Sequence, residues 1–416
     1  MSKTLVIILS ETRAHELTFE NFKKNVIDEL NADLCVCIGV KPDYDYNNPY
    51  YNLAKYKFLY DEPYDFGDAF DYAYNILLKE RPKYEKLENV NGLYGKLETP
   101  KQTTENIKFH ESSVENIKNI CSDINNLNLN SFFKDPVEVA AVASAFAVAV
   151  GDSVNDENAN TDVDYDEIVV HTNEFPDERW RNQIYSIKHT ENNLMNQDHV
   201  ITYKKPLHWR EFLKIKDQFM GGVKDPVDEH SGSAGILIFF RWFLLKNLIE
   251  NDLINKYDRF VITRSDFLYQ LPHPKLELMS EDNIWIPNAE HYEGYTDRHV
   301  VLTKNNIEQY LNIFNNFVFR SNEFFMKMRY NYDWNLERLI KFNLQQNNVL
   351  HLVKEFPYVM YSVRNHNGTS RWSYGYYSHE HGYYIKYCGE YEKSTYYRNE
   401  FNNSGLTIDE FYKLHI

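Results

Sequence analysis

The sequence predicts an α/β fold, in which a mostly parallel central sheet is flanked by helices. Residues 3–9 form an apolar run typical of a strand, an amphipathic helix is expected over about residues 18–30, and residues 33–40 form the next apolar run. This strand–helix–strand order favours parallel strands. A further apolar run in the middle of the chain, within residues 257–266, is uninterrupted, as is typical of a parallel strand buried on both faces.

The remaining elements follow from the same patterns. Short strands are expected at residues 58–60, 168–171, 200–203, 263–266, 284–287, 350–354 and 359–363. Helices are expected at residues 69–79, 235–251, 307–319 and 336–342. Strands that alternate with helices in this way predict one Rossmann-like sheet domain.

Two changes of composition divide the chain. Residues 82–165 are polar and Asn-rich around one Ala- and Val-rich segment, which predicts an α-rich subdomain inserted between the two parts of the sheet domain, residues 1–81 and 166–345. Residues 346–416 are rich in Tyr and predict a C-terminal extension, either a lid that closes over a ligand or a packed aromatic end.

Charge and cysteine content exclude some classes of protein. The formal net charge of −16 over 416 residues makes nucleic acid an unexpected partner. No apolar run is long enough to span a bilayer, and the first residues are typical of a strand, not of a cleavable leader. We therefore expect no transmembrane segment and a cytoplasmic location. Cys35 and Cys37 alternate within an apolar run, which is typical of core packing.

Candidate ligand-binding residues follow the first strand and the mid-chain strand. Ligands of open α/β sheets bind beyond the carboxyl ends of the strands. Ser10, Thr12 and Arg13 follow the first strand, and Arg264 and Asp266 end the mid-chain run. An arginine there can bind a diphosphate through two hydrogen bonds. Asp266 can hold a metal ion or a sugar hydroxyl, although capping the next turn is an ordinary role for an aspartate.

Two further segments carry candidate residues. Ser231 and Gly232 precede a helix, where small residues permit close approach and free N–H groups favour an anion, although a simple helix cap explains them equally well. The loop after the strand at residues 284–287 contains Glu290, His291, Asp297 and Arg298. Many aromatic residues separate these charges, which favours a binding loop over a merely solvated one.

A final candidate, Glu337, stands at a helix start. A carboxylate there interacts favourably with the helix dipole, and it could also serve as a general base.

Three of these segments together resemble GT-A-type glycosyltransferases, most nearly the lipopolysaccharide-synthesis-like group of bacteria and large viruses. They are VIILSETR at residues 6–13, YDRFVITRSD at residues 257–266 and IWIPNAEHYEGYTDRHVV at residues 284–301. In that group a strand ending in Arg-Ser-Asp stands where other GT-A enzymes carry Asp-x-Asp. The resemblance covers roughly residues 1–80 and 165–345.

The resemblance implies that the protein transfers a sugar from a UDP- or GDP-sugar to a glycan or another hydroxyl acceptor, building a surface or capsid glycan. Residues 1–81 would be the nucleotide-binding half, and in a viral protein the cytoplasm would be that of the host. Asp266 would bind the sugar diphosphate directly or through Mn²⁺ or Mg²⁺, with His291 or a histidine of the C-terminal segment as a second ligand. Because Arg264 replaces the first Asp of Asp-x-Asp, metal-independent transfer is also open.

The resemblance also divides the candidates by role. The donor-binding candidates are Ser10, Thr12, Arg13, Ser231, Gly232, Arg264, Asp266 and Arg298. Asp297 is the favoured general base, ahead of Glu290 and Glu337. Two alternatives remain: a sugar-nucleotide nucleotidyltransferase, which the Gly-free loop after the first strand disfavours, and a glycan-binding protein that is not an enzyme.

Overall fold

A computed structural model describes residues 3–9, 11–92, 168–172, 206–216, 218–224, 230–331, 333–366 and 373–416. Residues 1–87 and 166–416 form one compact unit. Most of the predicted subdomain at residues 82–165 and the predicted strand at residues 200–203 lie outside the described residues.

The described residues contain twelve strands. They are Thr4–Leu9 (β1), Asp33–Val40 (β2), Tyr56–Asp61 (β3), Ile168–Thr172 (β4), Arg259–Thr263 (β5), Phe267–Tyr269 (β6), Ile284–Pro287 (β7), Val300–Thr303 (β8), Val353–Phe356 (β9), Met360–Arg364 (β10), Tyr376–Ser378 (β11) and Tyr383–Ile385 (β12). Eight of them form a central sheet in the order β4-β3-β2-β1-β5-β8-β7-β9. Only β8 runs antiparallel to its neighbours, so the predicted α/β fold with a mostly parallel sheet is confirmed.

The central sheet is covered on both faces. Along β1, Leu5, Ile7 and Leu9 pack into one hydrophobic core, whereas Val6 and Ile8 pack into the other. Successive side chains of a strand point to opposite faces. A strand with a core on each side must therefore be apolar throughout, which is the pattern that the sequence shows.

Helices surround the sheet. Their bounds are His15–Phe22 (α1), Pro49–Leu53 (α2), Phe66–Gly92 (α3), Ala234–Glu250 (α4), Leu253–Lys256 (α5), Ile307–Leu311 (α6), Ile313–Phe319 (α7), Ser321–Met328 (α8), Leu336–Gln346 (α9), Cys388–Ser404 (α10) and Ile408–His415 (α11). Helices α3 to α9 contribute to the core with Leu5, and α1, α2, α10 and α11 to the core with Val6. None of the helices in the described ranges is long and apolar enough to cross a membrane.

The structure changes several predicted bounds. The helix expected at residues 69–79 extends over Phe66–Gly92, so that the expected boundary after residue 81 falls inside α3. The helix expected at residues 307–319 is interrupted at Asn312. The mid-chain strand ends at Thr263, and Arg264, Ser265 and Asp266 form the turn between β5 and β6.

The C-terminal segment belongs to the sheet domain. Strand β9 is the edge strand of the central sheet, and β10 pairs with β6 in a second, antiparallel sheet of order β11-β12-β10-β6. Because β6 follows Asp266 directly, this second sheet brings the end of β10 and the segment after β12 to the carboxyl end of β5. Strands β9 to β12 of the extension expected at residues 346–416 thus belong to the two sheets of this unit.

Two buried histidines lie beneath the end of β5. The Nε2 atoms of His273 and His299 are 3.1 Å apart, and both side chains are almost fully buried. The Nδ1 atom of His273 is 2.7 Å from the carbonyl oxygen of Pro274, which can only accept, so His273 donates there. A neutral His273 then accepts from His299, and His299 accepts at Nδ1 from the Thr263 hydroxyl at 2.9 Å. This chain of hydrogen bonds requires both imidazoles to be neutral.

Acid should therefore destabilise the protein through these histidines. Burial lowers the pKa of His273 to about 4, and burial together with His273 lowers the pKa of His299 well below its ordinary value. Unfolded histidine titrates near 6.5, so the unfolded state takes up protons first as the pH falls. We expect the free energy of unfolding to fall by up to about 1.4 kcal/mol per pH unit for each histidine below pH 6.5. Urea unfolding between pH 7.5 and pH 5 measures this slope.

A matched pair of variants isolates the contribution of these histidines. His299→Gln keeps a donor and an acceptor but does not titrate, so the slope should become shallower. His351→Gln removes an exposed histidine and should leave the slope unchanged. Equal slopes in both variants would contradict the assignment.

Candidate functional site

The carboxyl ends of β1 and β5 meet at Ser265. Its hydroxyl donates to the carbonyl oxygen of Glu11 at 2.9 Å and accepts from the backbone N–H of Arg13 at 2.9 Å. Its carbonyl oxygen accepts from the hydroxyls of Thr18 at 2.7 Å and Tyr50 at 2.8 Å. The turn after β5 is therefore fixed against the loop after β1, as strand-end geometry predicts for two neighbouring parallel strands.

A cavity of about 320 Å³ opens at these strand ends. This volume lies within the range of small-molecule sites. The predicted site residues that line it are Arg13, Ser231, Gly232, Arg264, Asp266, Asp297, Arg298 and Glu337. Thr12, Glu290 and His291 do not line it, and Ser10 lies outside the described residues. Eight of the predicted site residues thus lie together at one cavity.

Asp266 is held by two arginines. Its two oxygens accept from Nε and Nη2 of Arg264, both at 2.8 Å, and Oδ2 also accepts from Nη1 of Arg364. Burial would raise the pKa of Asp266, but the charges of Arg264 and Arg364 outweigh it and hold the pKa well below its ordinary value. The carboxylate is therefore ionised and already engaged, which leaves it poorly suited to the expected role of metal ligand.

The expected metal site does not fit the residues that are present. His291 lies 3.3 Å from Glu355 and accepts at Nδ1 from the backbone N–H of Thr296, outside the cavity wall. Among the residues that the structure describes, no group of three or more His, Cys, Asp or Glu side chains could hold a metal ion. The structure thus gives no support to Asp266 and His291 as paired ligands of Mn²⁺ or Mg²⁺.

The loop after β1 supplies Arg13 to the cavity and anchors itself with Thr12. Nε of Arg13 pairs with the Glu11 carboxylate. Burial alone would raise the pKa of Glu11. The positive charges of Arg13 and then of Lys41 lower the pKa by more than burial raises it, so the net shift is downward. The Thr12 hydroxyl is 3.0 Å from the hydroxyl of Tyr44 and accepts from Asn48 at 3.0 Å. Thr12, expected to bind the donor, instead positions the loop.

Ser231 and Gly232 lie at the entry to α4, where two backbone segments pack tightly. The N–H of Gly235 donates to the carbonyl oxygen of Gly221 at 2.9 Å, and a Cβ on Gly221 would overlap the carbonyl oxygen of Ser231. Gly232 has φ of 92°, a conformation that favours glycine. The first turn of α4 and the small residues before it line the cavity, as expected for a segment that permits close approach.

Two residues of the C-terminal segment complete the cationic side of the site. Arg364, the last residue of β10, is 1% exposed and reaches Asp266. Lys386, the first residue after β12, is 9% exposed and lines the cavity. Burial, and then the charges of Arg264 and Arg364, lower the pKa of Lys386 to about 7. Positive charge is thus concentrated around Asp266.

Two carboxylates, those of Asp297 and Glu337, lie on another part of the cavity wall. Burial and the neighbouring charge of Asp297 raise the pKa of Glu337 to about 7, although Arg298 opposes this shift. A carboxyl group with a pKa of about 7 is about half protonated at neutral pH. Such a pair can accept or donate a proton at the pH at which enzymes work.

The loop between β7 and β8 carries backbone strain next to these carboxylates. Glu290, Tyr292 and Glu293 have φ of 59°, 44° and 67°, which is uncommon for residues other than glycine. Strain of this kind clusters at functional sites, where the surrounding structure enforces it.

Helix α9 enforces the loop conformation. The side chain of Asn335 caps α9 by accepting from the N–H of Arg338 at 2.8 Å, and it donates to the carbonyl oxygen of Tyr292 at 3.1 Å. A Cβ on Gly294 would overlap the backbone of Glu337, so glycine permits the loop to touch the helix. This contact sets Asp297, on the loop, beside Glu337, on the helix.

Two carboxylates, those of Glu390 and Glu290, hold the guanidinium group of Arg298 in place. Its Nη1 donates to Glu390 at 3.2 Å and to Glu290 at 3.4 Å, and its guanidinium lies over the ring of Tyr387. Glu390, on α10, is fully buried and also accepts from the hydroxyl of Tyr358 at 2.8 Å. Glu290, expected as a general base, therefore helps to hold Arg298 instead of lining the cavity.

Sequence reasoning missed Arg364, Lys386, Tyr387 and Glu390. All four belong to the C-terminal segment, which the family resemblance does not cover. Arg364 directly follows an apolar run, and the strand-end rule that singled out Arg13 and Arg264 would have identified it. Lys386, Tyr387 and Glu390 carry no comparable signal.

Searches against protein-family models, curated proteins and solved structures found no match for this chain. The structure is that of an α/β protein with a Rossmann-like, mostly parallel sheet and a cavity at its strand ends. What binds there has to be inferred from the chemistry of the cavity.

Proposed function

We propose that the protein is a glycosyltransferase, which moves a sugar from a nucleotide-diphosphate donor to a hydroxyl of a glycan or another acceptor. One observation carries the proposal: a single cavity joins a cationic group, Arg13 with Arg264, to a carboxylate pair whose Glu337 has a pKa of about 7. Sugar transfer needs both, because negative charge develops on the departing diphosphate while the acceptor loses a proton.

In the proposed reaction the acceptor oxygen bonds to the anomeric carbon as the bond from that carbon to the diphosphate oxygen breaks. The acceptor proton passes to the ionised member of the Asp297–Glu337 pair. The nucleoside diphosphate leaves with the electron pair of the broken bond, and Arg264 and Arg298 lie where they can stabilise its charge. Asp297 remains a candidate base, and the raised pKa of Glu337 makes it an equally strong one.

The proposal is tested with purified protein and a panel of UDP-, GDP- and CMP-sugars, each with and without Mn²⁺. The release of nucleoside diphosphate or monophosphate is measured at pH 7.5. We expect slow hydrolysis of at least one UDP- or GDP-sugar, since water replaces an absent acceptor. Asp297→Asn should reduce this release, because it removes one member of the carboxylate pair.

The same assay separates the alternatives. Pyrophosphate release from a nucleoside triphosphate and a sugar phosphate would identify a nucleotidyltransferase. Binding of a glycan without any release of nucleotide would identify a glycan-binding protein. Either result would overturn the proposed transfer.

A further inference from the structure

The cationic part of the cavity gathers basic side chains around one carboxylate. Arg13, Arg264, Arg364 and Lys386 surround Asp266, and each of them acts electrostatically on that carboxylate or on Lys386. Glu11 pairs with Arg13, and Asp297 acts electrostatically on Arg264. Four basic side chains thus lie around Asp266, in a protein whose formal net charge is −16.

Two of these basic side chains meet the cavity differently. Arg364 is 1% exposed, does not line the cavity and donates to Asp266, so it positions that carboxylate. Lys386 lines the cavity although it is only 9% exposed. A buried charge is costly unless it is paired, which favours an anion in the cavity beside Lys386.

We propose that Arg13, Arg264 and Lys386, which line the cavity, form a pyrophosphate-binding subsite that holds the diphosphate of the donor without a divalent metal ion, and that Arg364 supports it through Asp266. This inference rests on the proposed function for the identity of the donor, but the anion site itself rests on the geometry. A diphosphate offers the negative charge and the acceptor oxygens that such a group of basic side chains binds.

The same residues explain why the expected metal site is not assembled. In the Asp-x-Asp arrangement two carboxylates would hold a cation against the diphosphate. Here Arg264 stands in the place of the first carboxylate and forms two hydrogen bonds with the second, Asp266. The guanidinium groups thus supply at fixed positions the positive charge that a metal ion would bring. Asp266 orients them and does not itself bind the ligand.

Calorimetric titration of the full chain with inorganic pyrophosphate, UDP and GDP, in buffer containing EDTA, tests the subsite. We expect pyrophosphate and at least one nucleoside diphosphate to bind in EDTA. Lys386→Met keeps the aliphatic stem and removes the charge, and it should weaken both ligands by about tenfold or more, since one charge-assisted contact is lost. Arg364 is less suitable for the first test, because its loss also leaves Asp266 with one partner fewer.

Lys304→Met is the matched control. Lys304 is exposed and lies near Asp258, which precedes β5, at the end of the strand away from the cavity. Its loss changes the net charge equally and should leave both affinities unchanged. Equal weakening in the two variants, or unaltered binding by Lys386→Met, would overturn the subsite.

The outcomes distinguish the subsite from the enzyme. Binding of UDP or GDP only in the presence of Mn²⁺ or Mg²⁺ would overturn the metal-free subsite and leave glycosyl transfer standing. Binding of pyrophosphate that Lys386→Met weakens, with no nucleoside diphosphate bound more tightly, would support the subsite and count against the nucleotide donor. If no ligand binds with or without metal, both inferences fail.

Discussion

Replacing Glu337 with glutamine is expected to lower turnover by about 10²- to 10⁴-fold, the usual contribution of a positioned general base or acid. Glutamine has nearly the same shape as glutamate but cannot take up a proton. The affinity for UDP or GDP should change little, because the arginines that act on Glu337 are Arg298 and Arg241, not those proposed to form the pyrophosphate subsite. Steady-state kinetics with the best donor of the panel, together with calorimetric titration, separate these two effects.

The pH profile of turnover provides a second measurement for the same variant. Because the pair must be ionised to accept a proton, wild-type turnover should rise with pH and level off above about 7, the pKa of Glu337. In Glu337→Gln this rise should disappear, since the group with the raised pKa has been removed. A purely structural role for Glu337 would reduce turnover without moving the profile.

Glu308→Gln is the control for helix effects. Glu308 occupies the second position of α6, as Glu337 does in α9, but it is exposed and away from the cavity. Both substitutions remove the same favourable interaction with a helix dipole, worth about 0.3–1 kcal/mol. Only Glu337→Gln should lose turnover; an equal loss in both variants would count against a catalytic role.

The central sheet could be predicted because most of its strands are marked by an apolar run within their own segments of the chain. Strand β2 has the predicted bounds, since its apolar run is flanked by polar residues. Helix α10 gave no such signal: only Glu390, Ser394 and Tyr397 are buried along it, so no apolar periodicity marks it. Its place in the fold depends on contacts with β10, and those cannot be read from its own sequence.

The candidate site was predictable in position but not in roles. The rule that ligands bind beyond strand ends identified Arg13, Arg264 and Asp266. The role of Asp266, however, is set by Arg364, which lies 98 residues further along the chain. The position of Arg298 likewise depends on Glu390, which is 92 residues away. The sequence around a carboxylate does not tell whether that carboxylate binds a ligand or neutralises an arginine. The role depends on a partner residue that lies far away along the chain.

Replacing Asp266 with alanine is expected to lower the free energy of unfolding by about 3–5 kcal/mol, as is typical when a buried ion pair loses one member. Asp266 is 2% exposed and is the acceptor for both Arg264 and Arg364. Without it, two guanidinium groups remain close together and away from bulk water. Urea unfolding at pH 7 measures the change, and a midpoint equal to that of the wild-type protein would contradict the proposed role.

Asp61→Ala is the control for this variant. Asp61 ends β3 at the same edge of the central sheet, and it pairs with His171 at 2.6 Å while its side chain is 42% exposed. An exposed pair of this kind contributes at most about 1 kcal/mol. Asp61→Ala should therefore lose much less stability than Asp266→Ala, because the loss depends on how deeply the ion pair is buried and not on the removal of a strand-end aspartate.

Pyrophosphate should partly rescue the Asp266→Ala variant, because an anion in the subsite takes over the neutralisation of Arg264 and Arg364. A ligand at one hundred times its dissociation constant stabilises the folded state by about 2.7 kcal/mol, and tighter binding adds to this. At one fixed pyrophosphate concentration we therefore expect a larger gain in the free energy of unfolding for Asp266→Ala than for the wild-type protein. An equal gain in the two would mean that the bound anion does not sense the missing carboxylate, and the cations around Asp266 could not then be the ones that hold the diphosphate.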